Sequence, residues 1–238
     1  MTKIKNAILL VVSLISTTAF AAPALMDGKY GVDSIQCIRN NSVYREFYKQ
    51  KNYDDAVSPW RWAYINCPRS SKNLYIDGAK LFKHEIKNAK ENKELKAALV
   101  DSLMSLYDQR ITFFGQEGYV LGLKGNDMLK YLPSRLDDAF GLLKQSVEGE
   151  GKKSKATALL SYFQAATKKF EADAFTKSDV LEVYAIVADY VDYNIANNSK
   201  SKKYYEKAAS NIEKLFVPFA TCEDLISMFD AKYAETPD

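Results

Sequence analysis

Val43-Tyr44-Arg45-Glu46-Phe47-Tyr48-Lys49-Gln50-Lys51-Asn52-Tyr53-Asp54-Asp55-Ala56, continued by Trp60, Ala63 and Pro68, is the stretch that decides how this chain folds. It reads as the end of one helix near 34–50, a turn at Lys51-Asn52, and a second helix near 53–66. The polar break Cys67-Pro68-Arg69-Ser70 closes it. Outward from this hairpin the same spacing recurs in Tyr75, Ala79, Phe82 and Ile86, in Val100, Leu103, Tyr107, Ile111 and Phe114, and in Val180, Tyr184, Val187, Val191 and Ile195. Steps of three and four residues place each set on one stripe of a helix. No segment sustains a period of two. Glycine (10) and proline (6) are too scarce for the turns of an all-β fold.

Helix starts are marked by Ser134-x-x-Asp137, Thr176-x-x-Asp179 and Thr221-x-x-Asp224. In this capping-box pattern two side chains satisfy free backbone donors. Further helices are expected near 71–90, 94–115, 118–131, 134–148, 154–172, 177–197, 200–216 and 221–235, about ten in all. The breaks at Glu148–Lys153, Asn197–Ser199 and Val217-Pro218 are too short for interdomain linkers. The chain therefore reads as all-α, with one helical domain over 34–238 preceded by a flexible segment at 22–33.

The opening hairpin resembles one unit of the tetratricopeptide-repeat (TPR) family. In that motif the first helix ends in a tyrosine and a short turn, then an aromatic and two polar residues begin the second. The resemblance implies that small Ala56 lets the two helices approach, Trp60 fills the gap between them, Ala63 packs on the next unit and Pro68 ends the helix. Leu136-Asp137-Asp138-Ala139-Phe140-Gly141-Leu142-Leu143 is a weaker echo, with Ser146 in place of the later alanine. Two residues depart from the pattern. Tyr44 stands where the family has glycine, which suggests a looser first contact, and Pro59 removes a backbone bond inside the second helix and should bend it. The fold implied is a TPR-like α-solenoid, a right-handed superhelix of antiparallel helix pairs. Its concave face receives a partner segment. The groove positions implied are Asn41, Arg45, Tyr48 and Lys49. Arg45 and Lys49, four apart, would present two cations to a carboxylate; the plainer reading is a solvated basic face.

The N-terminus carries an export signal. Lys3 and Lys5 precede the apolar run Ala7–Ile15, and small residues up to Ala21 complete the order of a secretory signal peptide at 1–21. The apolar run is far shorter than the roughly 20 residues of a bilayer span, and no later segment is long enough. Removing 1–21 takes away two lysines and lowers the net charge from +3 to +1. A near-neutral chain offers no clustered charge for nucleic acid. Periplasm or secretion is the compartment expected.

Chemistry-bearing patterns are few. A single histidine, His84, excludes two-histidine zinc motifs, and its neighbours Lys83 and Glu85 suggest a solvated helix face. Gly115, Gly118, Gly122 and Gly125 with Lys124 lack the G-K-[ST] ending of a phosphate loop; a tight turn followed by a helix of small contact residues is expected. The acid pairs Asp54-Asp55, Asp137-Asp138 and Glu223-Asp224 stand at helix starts, where negative charge offsets the helix dipole. Cys37 and Cys67 lie at nearly equal distances, about 14 and 15 residues, from the hairpin turn, so both sulfurs reach the same end. A Cys37–Cys67 disulfide with Cys222 free is the leading reading for an oxidising compartment. Buried thiols, a pair involving Cys222, or a zinc site of the cysteines with His84 are the alternatives. No catalytic, cofactor or metal residues are assigned. The function expected is an exported protein-interaction scaffold. A structural subunit of an envelope complex and, less favoured, an all-α carbohydrate-active enzyme are the competing readings.

Overall fold

The computed structural model describes residues 28–220. The signal peptide expected at 1–21, the helix expected at 221–235 with its Thr221-x-x-Asp224 box, and Cys222 lie outside the described residues. Within them the chain is all-helical, with no strand. The elements are α1 Ser34–Lys49, α2 Tyr53–Asn66, α3 Asn73–Asn88, α4 Lys93–Phe114, α5 Glu117–Tyr131, α6 Leu136–Glu150, α7 Ala156–Glu171, α8 Lys177–Asn197 and α9 Lys202–Phe216. Short 3-10 turns occupy Pro133–Arg135, Gly151–Lys153 and Val217–Phe219. Each helix packs on the next in the chain, and α7 also packs on both α5 and α9.

The helix ends follow local chemistry. Asp33 accepts the Gln36 amide at 2.9 Å, and Asn92 accepts that of Leu95 at 3.0 Å. Thr176 and Asp179 form the reciprocal box expected of them. The Ser134-x-x-Asp137 box does not form. Pro133–Arg135 makes a 3-10 turn, α6 starts at Leu136, and Asp137 instead reaches across to Lys169 of α7. The break expected at 148–153 is also shorter, because α6 continues to Glu150. Between α4 and α5 the chain reverses through Gly115 and Gln116, with φ of +65° and +61°. Glycine adopts that geometry without a steric penalty.

The interior is built around aromatic side chains. Trp60 is fully buried and donates its indole N–H to the Leu74 carbonyl at 2.7 Å. Tyr64 stacks on it at 5.3 Å and Phe82 meets it edge-on at 5.1 Å. Gly78 of α3 lies directly beneath the indole, where a Cβ would stand 2.5 Å from a ring carbon. Ala56 and Ala63 are buried beside it, and α2 ends at Asn66, just before Cys67 and Pro68. Tyr44 is not loosely held: it is fully buried and its hydroxyl comes within 3.5 Å of Asp77. Pro59 lies within the continuous helix α2. The same close approach recurs between α5 and α6, where a Cβ on Gly125 would meet Leu143 at 2.7 Å and one on Gly122 would meet Ser146 at 2.6 Å. The second half of the core joins Leu143, Leu159, Phe163, Val187 and Phe216, with Leu129 touching both halves.

Cys37 and Cys67 are joined as a disulfide, with their Cα atoms 6.1 Å apart. The bond ties the start of α1 to the end of α2.

This packing has two measurable consequences. Gly78→Ala forces the Trp60 indole out of its seat, and overpacking of this kind costs about 1–3 kcal/mol. Chemical unfolding should show that loss together with a shifted Trp emission; unchanged stability would show that the indole has room to move. Burial raises the Tyr64 and Tyr162 hydroxyls to about 12, from an ordinary value of 10.0. Above pH 10 the unfolded chain sheds protons that the native chain keeps, so stability falls as pH rises from 10 toward 12. Ultraviolet titration should show these tyrosines ionising only with unfolding; full ionisation of a still-folded chain would contradict their burial.

Candidate functional site

The odd-numbered helices are laced together by buried polar groups. Asp77 of α3 is 6% exposed and lies 3.3 Å from the Arg45 guanidinium of α1. The hydroxyls of Tyr48 and Tyr44 also bond to it. Burial pushes the Asp77 carboxyl upward, and Arg45 pulls against that shift. One step along, Asp127 of α5 is 2% exposed, and it accepts Lys83 of α3 at 2.7 Å and the Tyr107 hydroxyl of α4 at 2.5 Å. One step further, the Ser161 hydroxyl of α7 donates to the Asn126 side chain of α5 at 2.7 Å. Each bond gives a buried polar group the partner it needs.

This lacing relocates the groove residues expected from sequence. Arg45 and Tyr48 do sit together, but their shared target is Asp77. Lys49 is 65% exposed and leans only toward Glu46, at 4.0 Å. The pair Arg45 and Lys49 therefore makes no ready carboxylate grip, because Arg45 already holds one. Asn41 points inward, against the disulfide: its amide donates to the Cys37 carbonyl at 2.9 Å and to the Ser70 hydroxyl at 3.2 Å. His84 is also not simply solvated. Its Nε2 lies 2.7 Å from Asp54 and its ring meets Tyr53 edge-on at 5.4 Å, so Asp54 links α2 to α3. Lys80 lies over the Tyr48 and Tyr53 rings, and the hydrogen bond it donates to the Tyr53 hydroxyl holds its pKa up.

An open groove follows the later odd helices. About 430 Å³ of space lies between Asn126 and Lys130 of α5, Gln164 and Lys168 of α7, and Leu215 of α9. It continues into about 270 Å³ bounded by Leu129, Leu136 and Ala172. Lys130 and Lys168 pair with no carboxylate among the described residues, and the Gln164 side-chain amide bonds to none of them. The groove thus offers the Lys168 ammonium, the Lys130 ammonium lying over the Tyr131 ring at 4.8 Å, the Glu171 carboxylate, an amide that can both donate and accept, and apolar side chains. Sequence reading missed these residues because α7 lies outside the recognisable motif. The available signal was Gln164 and Lys168 four apart on one helix.

Among the described residues no group of three His, Cys, Asp or Glu side chains is placed to hold a metal, and Cys37 and Cys67 are committed to each other. None of the described helices is long and apolar enough to cross a membrane. Compared with protein-family models, characterised proteins and solved structures, the chain matches none.

Asp127 is the lacing group with the most to lose. Asp127→Ala strands Lys83 and Tyr107 and should cost about 2–4 kcal/mol, with Tyr107→Phe costing about 1.5 kcal/mol. Urea unfolding of both variants measures this. Equal, negligible losses would mean that solvent replaces the carboxylate.

Proposed function

We propose that this chain is an exported, TPR-like scaffold that binds a protein or peptide segment in the groove along α5, α7 and α9. The observation that carries the reading is that groove: about 430 Å³ open to solvent, where, among the described residues, Lys130 and Lys168 make no ion pair and stand with Glu171 beside a Gln164 amide that has no hydrogen-bond partner. Peptide recognition on helical repeats uses such a surface, where side-chain amides meet a peptide backbone and cations meet its charges. The packing of α7 on both α5 and α9 is the contact order of stacked helix pairs, and it supports a superhelix with this face inward. The signal-like residues 1–21 and the disulfide both suit an oxidising, exported setting. Binding is favoured over catalysis because Asp77 and Asp127, the acids deepest in the fold, are already taken up by structural partners.

Gentle crosslinking in the native cells, followed by mass spectrometry of what is recovered with the chain, tests this. A reproducible protein partner should appear, and Lys130→Ala with Lys168→Ala should reduce its recovery about tenfold, the scale of about 1.4 kcal/mol. A chain recovered alone, or a partner unaffected by both substitutions, would overturn the reading.

A further inference from the structure

Arg110 of α4 is out of keeping with its surroundings. It is 3% exposed, and no carboxylate among the described residues lies within ion-pair distance. Its Nε finds no acceptor. Its single hydrogen bond runs from Nη2 to the Gln116 side-chain oxygen, at a long 3.4 Å. Burial lowers its pKa, yet a guanidinium keeps its charge in proteins. A buried charge of this kind is costly unless something pairs with it.

The guanidinium is aimed at the start of α5. Gln116 is the residue that precedes that 15-residue helix, and Tyr119, whose ring lies under the Arg110 guanidinium at 5.3 Å as a cation–π partner, is the third residue in it. Gln116 stands in the left-handed region and its side chain caps nothing, so the amides of Glu117, Gly118 and Tyr119 have no acceptor. Free first-turn amides and the positive end of a helix favour an anion. Two more cations converge there. Lys72, at the start of α3, reaches the same Gln116 oxygen at 3.4 Å, and Lys155, at the start of α7, lies 5.9 Å from the Tyr119 ring. The acids facing this turn are Glu117 itself and Glu150, whose carboxylate rests against Gly118. Neither forms an ion pair with Arg110, Lys72 or Lys155. Two cations thus share one neutral oxygen, both at stretched distances, beside a helix start that lacks an acceptor.

We propose that the α4–α5 turn is a binding site for one small oxyanion of the phosphate class. Arg110, the first-turn amides of α5, Lys72 and Lys155 hold it, and Gln116 swings aside. A tetrahedral oxyanion has enough oxygens to meet the guanidinium, an ammonium and the amides together, which a carboxylate does not. The segment Phe114-Gly115-Gln116-Glu117-Gly118 lacks the lysine and hydroxyl of a nucleotide loop, so the anion is not read as belonging to a nucleotide. The site lies at the starts of α3, α5 and α7 and does not depend on the scaffold reading of the groove.

Thermal unfolding of the full chain, titrated with sodium phosphate, sodium acetate and sodium chloride at matched ionic strength, tests it. Amide NMR shifts of Gly118 and Tyr119 provide a second readout. Phosphate should raise Tm by about 3 °C or more at saturation and move both amides, while chloride and acetate do neither. Arg110→Gln should abolish both effects. Because Arg110 is buried, the surface pair Lys72→Gln and Lys155→Gln is the safer variant, and it should weaken phosphate about tenfold while leaving unfolding without phosphate unchanged. Equal responses to chloride would reduce the effect to ionic strength and overturn the site. Acetate matching phosphate would overturn the phosphate class, and phosphate shifts that persist in both variants would leave an adventitious ion only.

Discussion

Asp127 fixes the relation of three helices at once. A carboxylate removed from water must have its charge met, and here the partners come from α3 and α4 while the acid belongs to α5. Slippage of any of these helices would leave a buried charge or a buried hydroxyl unanswered, and that penalty is larger than the net worth of the bonds themselves. With α5 held in this way, its glycine face is presented to α6. The close seating of Gly125 on Leu143 and of Gly122 on Ser146 then sets how near the second half of the core can come. Asp77 has the matching role between α1 and α3.

The arrangement separates structural polar groups from available ones. Arg45, Tyr48, Lys83 and Tyr107 are chemically attractive residues, but each is held by a buried acid. Lys130, Lys168, Gln164 and Glu171 are less conspicuous, yet they face open space. A binding surface on this protein is best recognised by asking which donors the fold has not already used.

The helices were legible in the sequence because three-and-four spacing survives any tertiary context: α2 at Tyr53–Asn66 and α8 at Lys177–Asn197 fall where the pattern puts them. The burial of Ala56, Trp60 and Ala63 was legible too, but that the Trp60 indole would lie over Gly78 of α3 was not. Capping was less so. Thr176 and Asp179 pair as expected, but Asp137 is drawn to Lys169, which lies over the Phe140 and Phe175 rings, and a local motif cannot reveal a cation 32 residues away. The surroundings of the expected groove residues were hidden for a related reason. Helical spacing shows that Arg45 and Lys49 share a face, but not that Asp77 on a different helix claims one of them. Likewise, nothing local to Gln164 marks it as unpartnered.

In a stack of helix pairs each unit draws its stability from neighbours on both sides, and a unit with a neighbour on one side only is prone to fraying. Among the described residues α1 packs chiefly on α2, and its Tyr44 and Arg45 also reach Asp77 of α3. The Cys37–Cys67 bond changes that unit's position. Its two helices cannot separate at their open end even when they lose contact with α3, so the first hairpin stays folded back on itself while the rest of the array opens. The first hairpin thus carries a covalent hold that its helix packing alone does not give it.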